Sequence, residues 1–276
     1  MSKVWFITGS SRGLGRALVI AALKNGDKVI ATARKPETLD DLKKEYGENI
    51  FPYTLDVTDA KSNITAVEEG VKKFGRIDNV VCNAGYGNMA SVEDTTMEDF
   101  RAQFDVLLFG VVHTVKAVLP YLRKQKSGHI LIVSSVGGRM GTPGLSAYQS
   151  AKWAVEGFGE VLNAEAAPVG IKVTILEPSG MRTDWAGSSM TTIKPEQPEY
   201  AHIAGVIDMV RGIAGNETGD TDKIARAIVK ITQSEEAPLR LLFGKDAVEF
   251  ANAIDKKRLE ETEKWAHISN SIEWDG

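Results

Sequence analysis

Tyr148 and Lys152 stand four residues apart in a helix-patterned stretch, 147–166, so they share one face and an ammonium can sit beside a phenol. A free tyrosine titrates at about 10, and a neighbouring cation favours its phenolate. The positive end of a helix acts in the same direction. Ser146-Ala147-Tyr148-Gln149 reads as a capping box, which puts Tyr148 in the first helical turn. Both effects predict a pKa lowered toward working pH, where the phenol can hand a proton to an alkoxide as general acid. Ser135 follows the strand-like run 130–133, on the carboxyl edge where open α/β sheets bind ligands. Its hydroxyl can donate to a carbonyl oxygen as negative charge develops there during hydride attack. Ser135, Tyr148 and Lys152 are therefore the candidate catalytic group.

A second constellation lies near the N-terminus. Thr8-Gly9-Ser10-Ser11-Arg12-Gly13-Leu14-Gly15 joins an apolar run to an amphipathic stretch. Glycines there let the backbone approach a ligand closely, and the helix start behind them offers free N–H groups to a pyrophosphate. A phosphate loop of the Gly-Lys-Ser/Thr kind is excluded, because the turn continues Gly13-Leu14-Gly15. About twenty residues on, an NAD site carries a carboxylate for the ribose 2′-hydroxyl. This chain instead reads Ala31-Thr32-Ala33-Arg34-Lys35, and Arg34 suits a 2′-phosphate. Arg12 is a second candidate cation, and the cofactor expected is NADP(H).

The elements needed to hold these groups are legible as alternation. Short apolar runs at 4–7, 29–32, 51–55, 77–82, 130–133, 173–176 and 239–243 alternate with helical patterns near 14–25, 38–46, 60–74, 97–125, 147–166 and 222–232. Near-continuous apolar strands between helices predict a parallel sheet covered on both faces. The expected fold is α/β: one doubly wound domain over residues 1–276, with a mostly parallel seven-stranded sheet. Residues 186–219, rich in Gly, Thr, Ser and Pro around a helical patch at 203–213, form a candidate lid. The stretch 255–264 is expected to be a solvated helix laced by the i,i+4 pairs Lys256–Glu260, Lys257–Glu261 and Glu260–Lys264.

Composition narrows the function classes. The 276 residues are 43% hydrophobic and 25% charged, which excludes a disordered chain. With 33 basic against 37 acidic side chains the net charge is −4, so nucleic acid and anionic membrane are not expected partners. The only cysteine, Cys82, has no internal partner for a disulfide, and His113, His129, His202 and His267 lack metal-ligand spacing, so no metal is expected. The N-terminal stretch lacks a leader pattern, and the apolar run 106–115 is short for a bilayer, which predicts a cytoplasmic protein.

Taken in order along the chain, these motifs resemble those of the short-chain dehydrogenase/reductase family. Thr8-Gly9-x-x-x-Gly13-x-Gly15 matches its cofactor turn, Ser135 and Tyr148-x-x-x-Lys152 its catalytic group, with thirteen residues from Ser135 to Tyr148. The resemblance implies a Rossmann-type fold and adds residues that spacing alone does not give. Asp56, with Val57, would meet the adenine; Asn83-Ala84-Gly85 would line the cofactor and steady the sheet. Pro178, Gly180, Met181 and Thr183 would seat the nicotinamide carboxamide, and Lys152 would also hold the nicotinamide ribose.

Four departures from the family pattern stand out. Leu107 occupies the position where many members carry an asparagine that supports a water-mediated proton relay. Cys82 precedes Asn83 where asparagine is common, Ser179 replaces a glycine after Pro178, and the lid and tail lengthen the chain beyond the compact acyl-carrier-protein reductases. The pocket is expected to be lined by Gly137, Met140, Leu145, Trp185 and Met190, which flank the catalytic loop and lid, with Ser179 in its floor. Residues 106–118 are apolar on nearly every helical face, which predicts cover from the sheet and from a second subunit, hence a homodimer or homotetramer. The activity expected is reduction of small to medium apolar ketones and aldehydes, or oxidation of the alcohols. A steroid- or retinoid-type dehydrogenase and a non-catalytic NADP(H)-binding protein are the alternatives.

Overall fold

Along the strand β1 (Val4–Ile7) side chains alternate between two apolar layers: Val4 and Phe6 enter one, Trp5 and Ile7 the other. The same division runs through β2 (Lys28–Ala33), β3 (Ile50–Thr54), β4 (Asn79–Cys82), β5 (Gly128–Val133) and β6 (Ile171–Pro178), and β7 (Arg240–Phe243) turns Leu241 and Phe243 toward the layer of Trp5. The computed structural model describes residues 2–274. Among these the seven strands form one sheet, all parallel, in the order β3-β2-β1-β4-β5-β6-β7. Chain order reverses between β1 and β4, and the crevice outside their carboxyl ends is where a doubly wound sheet takes its ligand.

Helices cover both faces. On one lie α1 (Gly13–Lys24), α2 (Asp40–Tyr46) and, later in the chain, Thr221–Thr232; on the other lie α3 (Ala60–Phe74), a long helical run and Ser146–Ala166. The long run comprises α4 (Met97–Phe104), a π-helical turn at Asp105–Phe109 and α5 (Gly110–Gln125). Its start is set by Thr96, whose hydroxyl accepts from the Asp99 amide at 3.1 Å. The turn at Asp105–Phe109 departs from the uniform helix expected, and such bulges frequently occur at functional sites. Met97–Gln125 is long and apolar enough to cross a membrane, yet Val111, Val115, Val118 and Leu122 pack into the core.

Helix α6 is Ser146–Ala166, α7 is Ala201–Gly212, α8 is Thr221–Thr232 and α9 is Lys245–Ser269. Residues 186–219 contain α7, which buries Ile203 and Ile207 against Met89, Leu107, Leu145 and Tyr148 in a third apolar cluster. The segment is also stitched to the loop after β4: Met89 donates to Thr191 O at 2.9 Å and Ile193 donates back to Met89 O at 2.8 Å. In α9 only Ala247 and Ala251 are buried. The pair Lys256–Glu260 closes at 3.9 Å, and Arg258 lies over the Trp153 ring at 4.7 Å.

The expected capping box does not form. Leu145, not Ser146, is the N-cap of α6, and no side chain caps it. Gln149 is drawn to the preceding loop, where its Oε1 accepts from the Thr142 amide at 2.6 Å and its Nε2 donates to Thr142 Oγ1 at 3.1 Å. Tyr148 nevertheless stands in the first turn.

Candidate active site

The glycine turn is built around one asparagine. Asn83 Nδ2 donates to Thr8 O at 2.9 Å and Gly9 O at 3.1 Å, while the amides of Asn83 and Ala84 donate to Thr8 Oγ1 at 2.9 and 3.1 Å. These bonds fasten the end of β4 to the end of β1. A Cβ on Gly15 would stand 2.2 Å from Gly9 O and 2.6 Å from Asn83 Nδ2, so a side chain there is excluded. Gly13 holds φ at +54°, a conformation that favours glycine. Behind the turn, α1 begins with no side-chain cap on Arg12 and no acidic residue in its first turn. Those N–H groups and the positive dipole end fit a pyrophosphate. Ser11 and Leu14 complete the turn.

The residues set for the rest of a dinucleotide fall along the same crevice. Arg34 is exposed one residue past the end of β2. Asp56 Oδ1 accepts from the Thr58 amide and hydroxyl at 3.0 and 2.8 Å, fixing the loop after β3. Val57 is held by Asn63, which donates to its carbonyl at 3.0 Å, and by the His113 ring at 3.1 Å. Gly85 faces Leu107, whose Cδ2 would be 2.9 Å from a Cβ there. Past β6, Met181 bridges to Gly219, and Thr183 Cγ2 approaches Gly13. Arg12 Nη1 lies 3.8 Å from Asp184 Oδ2, in the loop after β6.

Ser135, Tyr148 and Lys152 converge at the carboxyl end of β5. Ser135 Oγ accepts from the Gly137 amide at 3.0 Å, which orients the hydroxyl, and its side chain neighbours the Tyr148 phenol. Lys152 Nζ donates to Val133 O at 2.8 Å and lies 5.6 Å from the centre of the Tyr148 ring. The expected low phenol pKa is not what this environment gives. Burial pushes Tyr148 up to about 12, and Ser135 offsets only part of the rise. Burial likewise brings Lys152 down to about 8, with Glu156 acting in the opposite direction. Desolvation of both groups outweighs the helix end and the i+4 cation.

Trp185 packs on Tyr148 with ring centroids 5.1 Å apart, and both rings approach Gly87, where a Cβ would lie 2.9 Å from Trp185 and 3.0 Å from Tyr148. Leu145 and Met190 join the cluster around the phenol. Gly137 is present as the donor to Ser135. One expected lining residue turns to a neighbouring strand: Ser179 Oγ donates to Phe243 O at 3.3 Å and fills the space beside Gly244, because β7 ends next to it. The Met140 carbonyl accepts from Trp153 Nε1 at 3.3 Å, which fastens the loop to α6. Cys82 is buried, and burial pushes its thiol up to about 12, so it is an inert strand-end side chain.

Sequence reasoning placed Thr8 in the turn motif but gave no role to its hydroxyl, which receives two amides, and it missed Met89, Ile203 and Ile207, which bring the lid onto Tyr148. It also missed Glu156. The signal was present, since 148, 152 and 156 are spaced by four along one helix face.

A family profile described as short chain dehydrogenase matches residues 3–194. The chain is 55% identical over 270 residues to oxidoreductase BOA17 of Botryotinia fuckeliana, covering 98% of each. Its structure is similar to a short-chain dehydrogenase from Streptomyces avermitilis, with a TM-score of 0.92, 37% identity and coverage of 99% of this chain and 100% of that one. It is also similar to an alcohol dehydrogenase from Thermococcus sibiricus complexed with 5-hydroxy-NADP, with a TM-score of 0.74, 27% identity and coverage of 88% and 96%.

Proposed function

The chain belongs to the short-chain dehydrogenase/reductase family, and from that premise we propose that it moves hydride between NADP(H) and a carbonyl or alcohol substrate. The observation that carries this reading is the convergence of Ser135, Tyr148 and Lys152 at the end of β5, beside the glycine turn and under Trp185. The dinucleotide supplies the hydride. The chain supplies the rest.

Free amides at the start of α1 hold the pyrophosphate, and exposed Arg34 takes the 2′-phosphate, with no carboxylate at the end of β2 to repel it. Ser135 Oγ, oriented by the Gly137 amide, donates to the substrate oxygen as charge develops. Tyr148, with its phenol kept protonated by burial, transfers its proton to the alkoxide as general acid. Lys152 stabilises the phenolate that remains. Trp185, Leu145 and Met190 make the walls apolar and exclude water, which supports small to medium apolar ketones and aldehydes as substrates.

Phe109 on the long helical run and Trp153 and Val161 on α6 are 47%, 46% and 58% exposed, and such apolar faces support a two-fold homo-oligomer. The test of the activity is a panel of aliphatic, aromatic and steroidal ketones and alcohols with NADP(H) and NAD(H), read by nicotinamide absorbance. Tight NADPH binding with no turnover on the whole panel would favour a non-catalytic binding protein instead.

A further inference from the structure

Lys152 is buried, and one side of it is sealed by carbon. Leu107 is 1% exposed among Met89, Leu145, Tyr148 and Met190, so no polar side chain leads outward through that position. The other side is polar. Tyr148, Lys152, Glu156 and Glu160 follow one another at four-residue steps along α6, from the phenol to the surface. Arg240 on β7 clasps the outer end, with Nε 2.9 Å from Glu156 Oε2 and Nη1 2.7 Å from Glu160 Oε1, and the Glu160 side chain is 55% exposed. Next to Val133, which accepts the Lys152 ammonium, stands Ser134. Ser134 Oγ and Glu156 Oε1 lie 2.8 and 3.0 Å from the point a Cβ on Gly138 would occupy, so the glycine leaves these two oxygens facing one small space. Ser134 Oγ, Glu156 Oε1 and, close by, Glu177 Oε2 are all buried without a hydrogen-bond partner among the described residues. Buried polar atoms left open in this way call for a proton or a water between them.

We propose that Glu156 is the proton-relay group of this enzyme, returning protons to Tyr148 through Ser134 and Lys152 along the α6 face that carries Tyr148. The inference rests on the reductase reading above. After Tyr148 gives its Oη proton to the alkoxide, the Lys152 ammonium gives one back to the phenolate. Neutral Lys152 Nζ then takes the carboxyl proton of Glu156 by way of the Ser134 hydroxyl and water in the space beside Gly138, and the Glu156 carboxylate is reprotonated from solvent at the Arg240–Glu160 rim. Each step moves one proton, and oxidation of an alcohol runs the sequence backwards.

The surroundings suit that traffic. Burial lifts Glu156 to about 7, Glu177 on β6 adds to the rise and Arg240 opposes it. Burial brings Lys152 down to about 8, with Glu156 acting in the opposite direction. Arg139, in the loop after β5, completes the ring of charge: its Nε is 2.8 Å from Glu177 Oε1 and its Nη1 3.2 Å from Asp255 Oδ2 of α9.

The test compares wild type with Glu156→Gln and Glu156→Asp as full-length holoenzyme, using a ketone from the panel and NADPH. With Glu156→Gln the first turnover should keep the wild-type rate, because Tyr148 already carries its proton. Later turnovers should slow about tenfold or more, giving a burst of no more than two NADPH oxidised per site, the protons held by Tyr148 and Lys152, with a larger solvent deuterium isotope effect and loss of the near-neutral limb of the kcat profile. KM values should hold, and Glu156→Asp should restore part of kcat. A merely structural loss would slow the first turnover too, and that result, or an unchanged kcat and pH profile, overturns the proposal. Should Glu156→Gln fail to fold, Ser134→Ala breaks the same link and is read in the same way. Infrared spectroscopy gives a reading that needs no substrate: a protonated-carboxyl band near neutral pH, lost in Glu156→Gln or, where that variant does not fold, shifted in frequency in Glu156→Asp. A wild type that reduces no carbonyl overturns the functional reading alone, and the presence or absence of that band then decides whether Glu156 holds the proton.

Discussion

The indole of Trp185 lies across the ring of Tyr148, with centroids 5.1 Å apart and planes at 57°, and its Nε1 is buried without a hydrogen-bond partner among the described residues. A tilted aromatic contact positions the phenol, while an open donor beside it can receive an acceptor on the substrate. Trp185→Phe keeps the ring and deletes the N–H. For a ketone bearing a second acceptor, such as a keto ester, KM should rise about tenfold, the worth of one hydrogen bond. For a plain aliphatic ketone it should stay unchanged. Parallel shifts for both substrates would mean that Trp185 acts through packing alone.

Arg34 is exposed beyond β2 and no acid stands beside it at the strand end, while Arg12 is occupied with Asp184. Arg34→Asp should therefore lower kcat/KM for NADPH and raise it for NADH, because it replaces a charge-assisted partner of the 2′-phosphate by a repelling one. The ratio of the two constants is the measurement. An unmoved ratio would pass the discrimination to Arg12.

Leu107 offers no room for a polar relay. Its methyl group meets Gly85, and the side chain sits in the cluster that joins the lid to Tyr148. Leu107→Asn would remove apolar packing and bury an amide there, at a cost of about 2–5 kcal/mol. The expected outcome is a lower Tm with no gain in kcat and no change in its pH profile. A gain in kcat would show that water reaches Tyr148 from this side.

Much of this arrangement was legible in the sequence, for reasons that differ by feature. Strands buried on both faces leave continuous apolar runs, so all seven were found within a residue or two. The Thr8–Gly15 turn and the four-residue spacing of Tyr148 and Lys152 are local, and chain order alone specifies them. What sequence left out depends on partners distant along the chain. Gln149 abandons the capping box for Thr142, and Ser179 turns to β7. The π-helical turn at Asp105–Phe109 inserts one residue without disturbing the apolar pattern, so no periodicity marks it. The raised Tyr148 pKa follows from burial under a lid, and a sequence carries no measure of burial.

Stability should carry a signature of Glu156. Its folded pKa, about 7, is above the ordinary carboxyl value of 4.5, so the folded state holds the proton more tightly than the unfolded chain. The contribution is fully present below the unfolded value and is lost as pH rises through about 7. Lys152, depressed to about 8 from 10.5, has the opposite sign: its contribution is present above 10.5 and lost as pH falls through about 8. His129, brought down to about 4 by burial, acts in the acid range in both proteins and cancels in a comparison. Between pH 5 and 8, the Tm of wild type should fall relative to that of Glu156→Gln. Parallel Tm curves would mean that Glu156 is ionised throughout.

The central claim is that Ser135, Tyr148 and Lys152 reduce carbonyls with NADPH. Its most direct test is NADPH oxidation by wild type and by Tyr148→Phe on the same ketone, with cofactor affinity measured separately by fluorescence. Wild type should turn over, and Tyr148→Phe should lose about 10²–10⁴-fold or more of kcat while binding NADPH as before, because its ring has no proton to give. Near-normal reduction by Tyr148→Phe, or a wild type that binds NADPH and stays silent across the panel, would contradict the account.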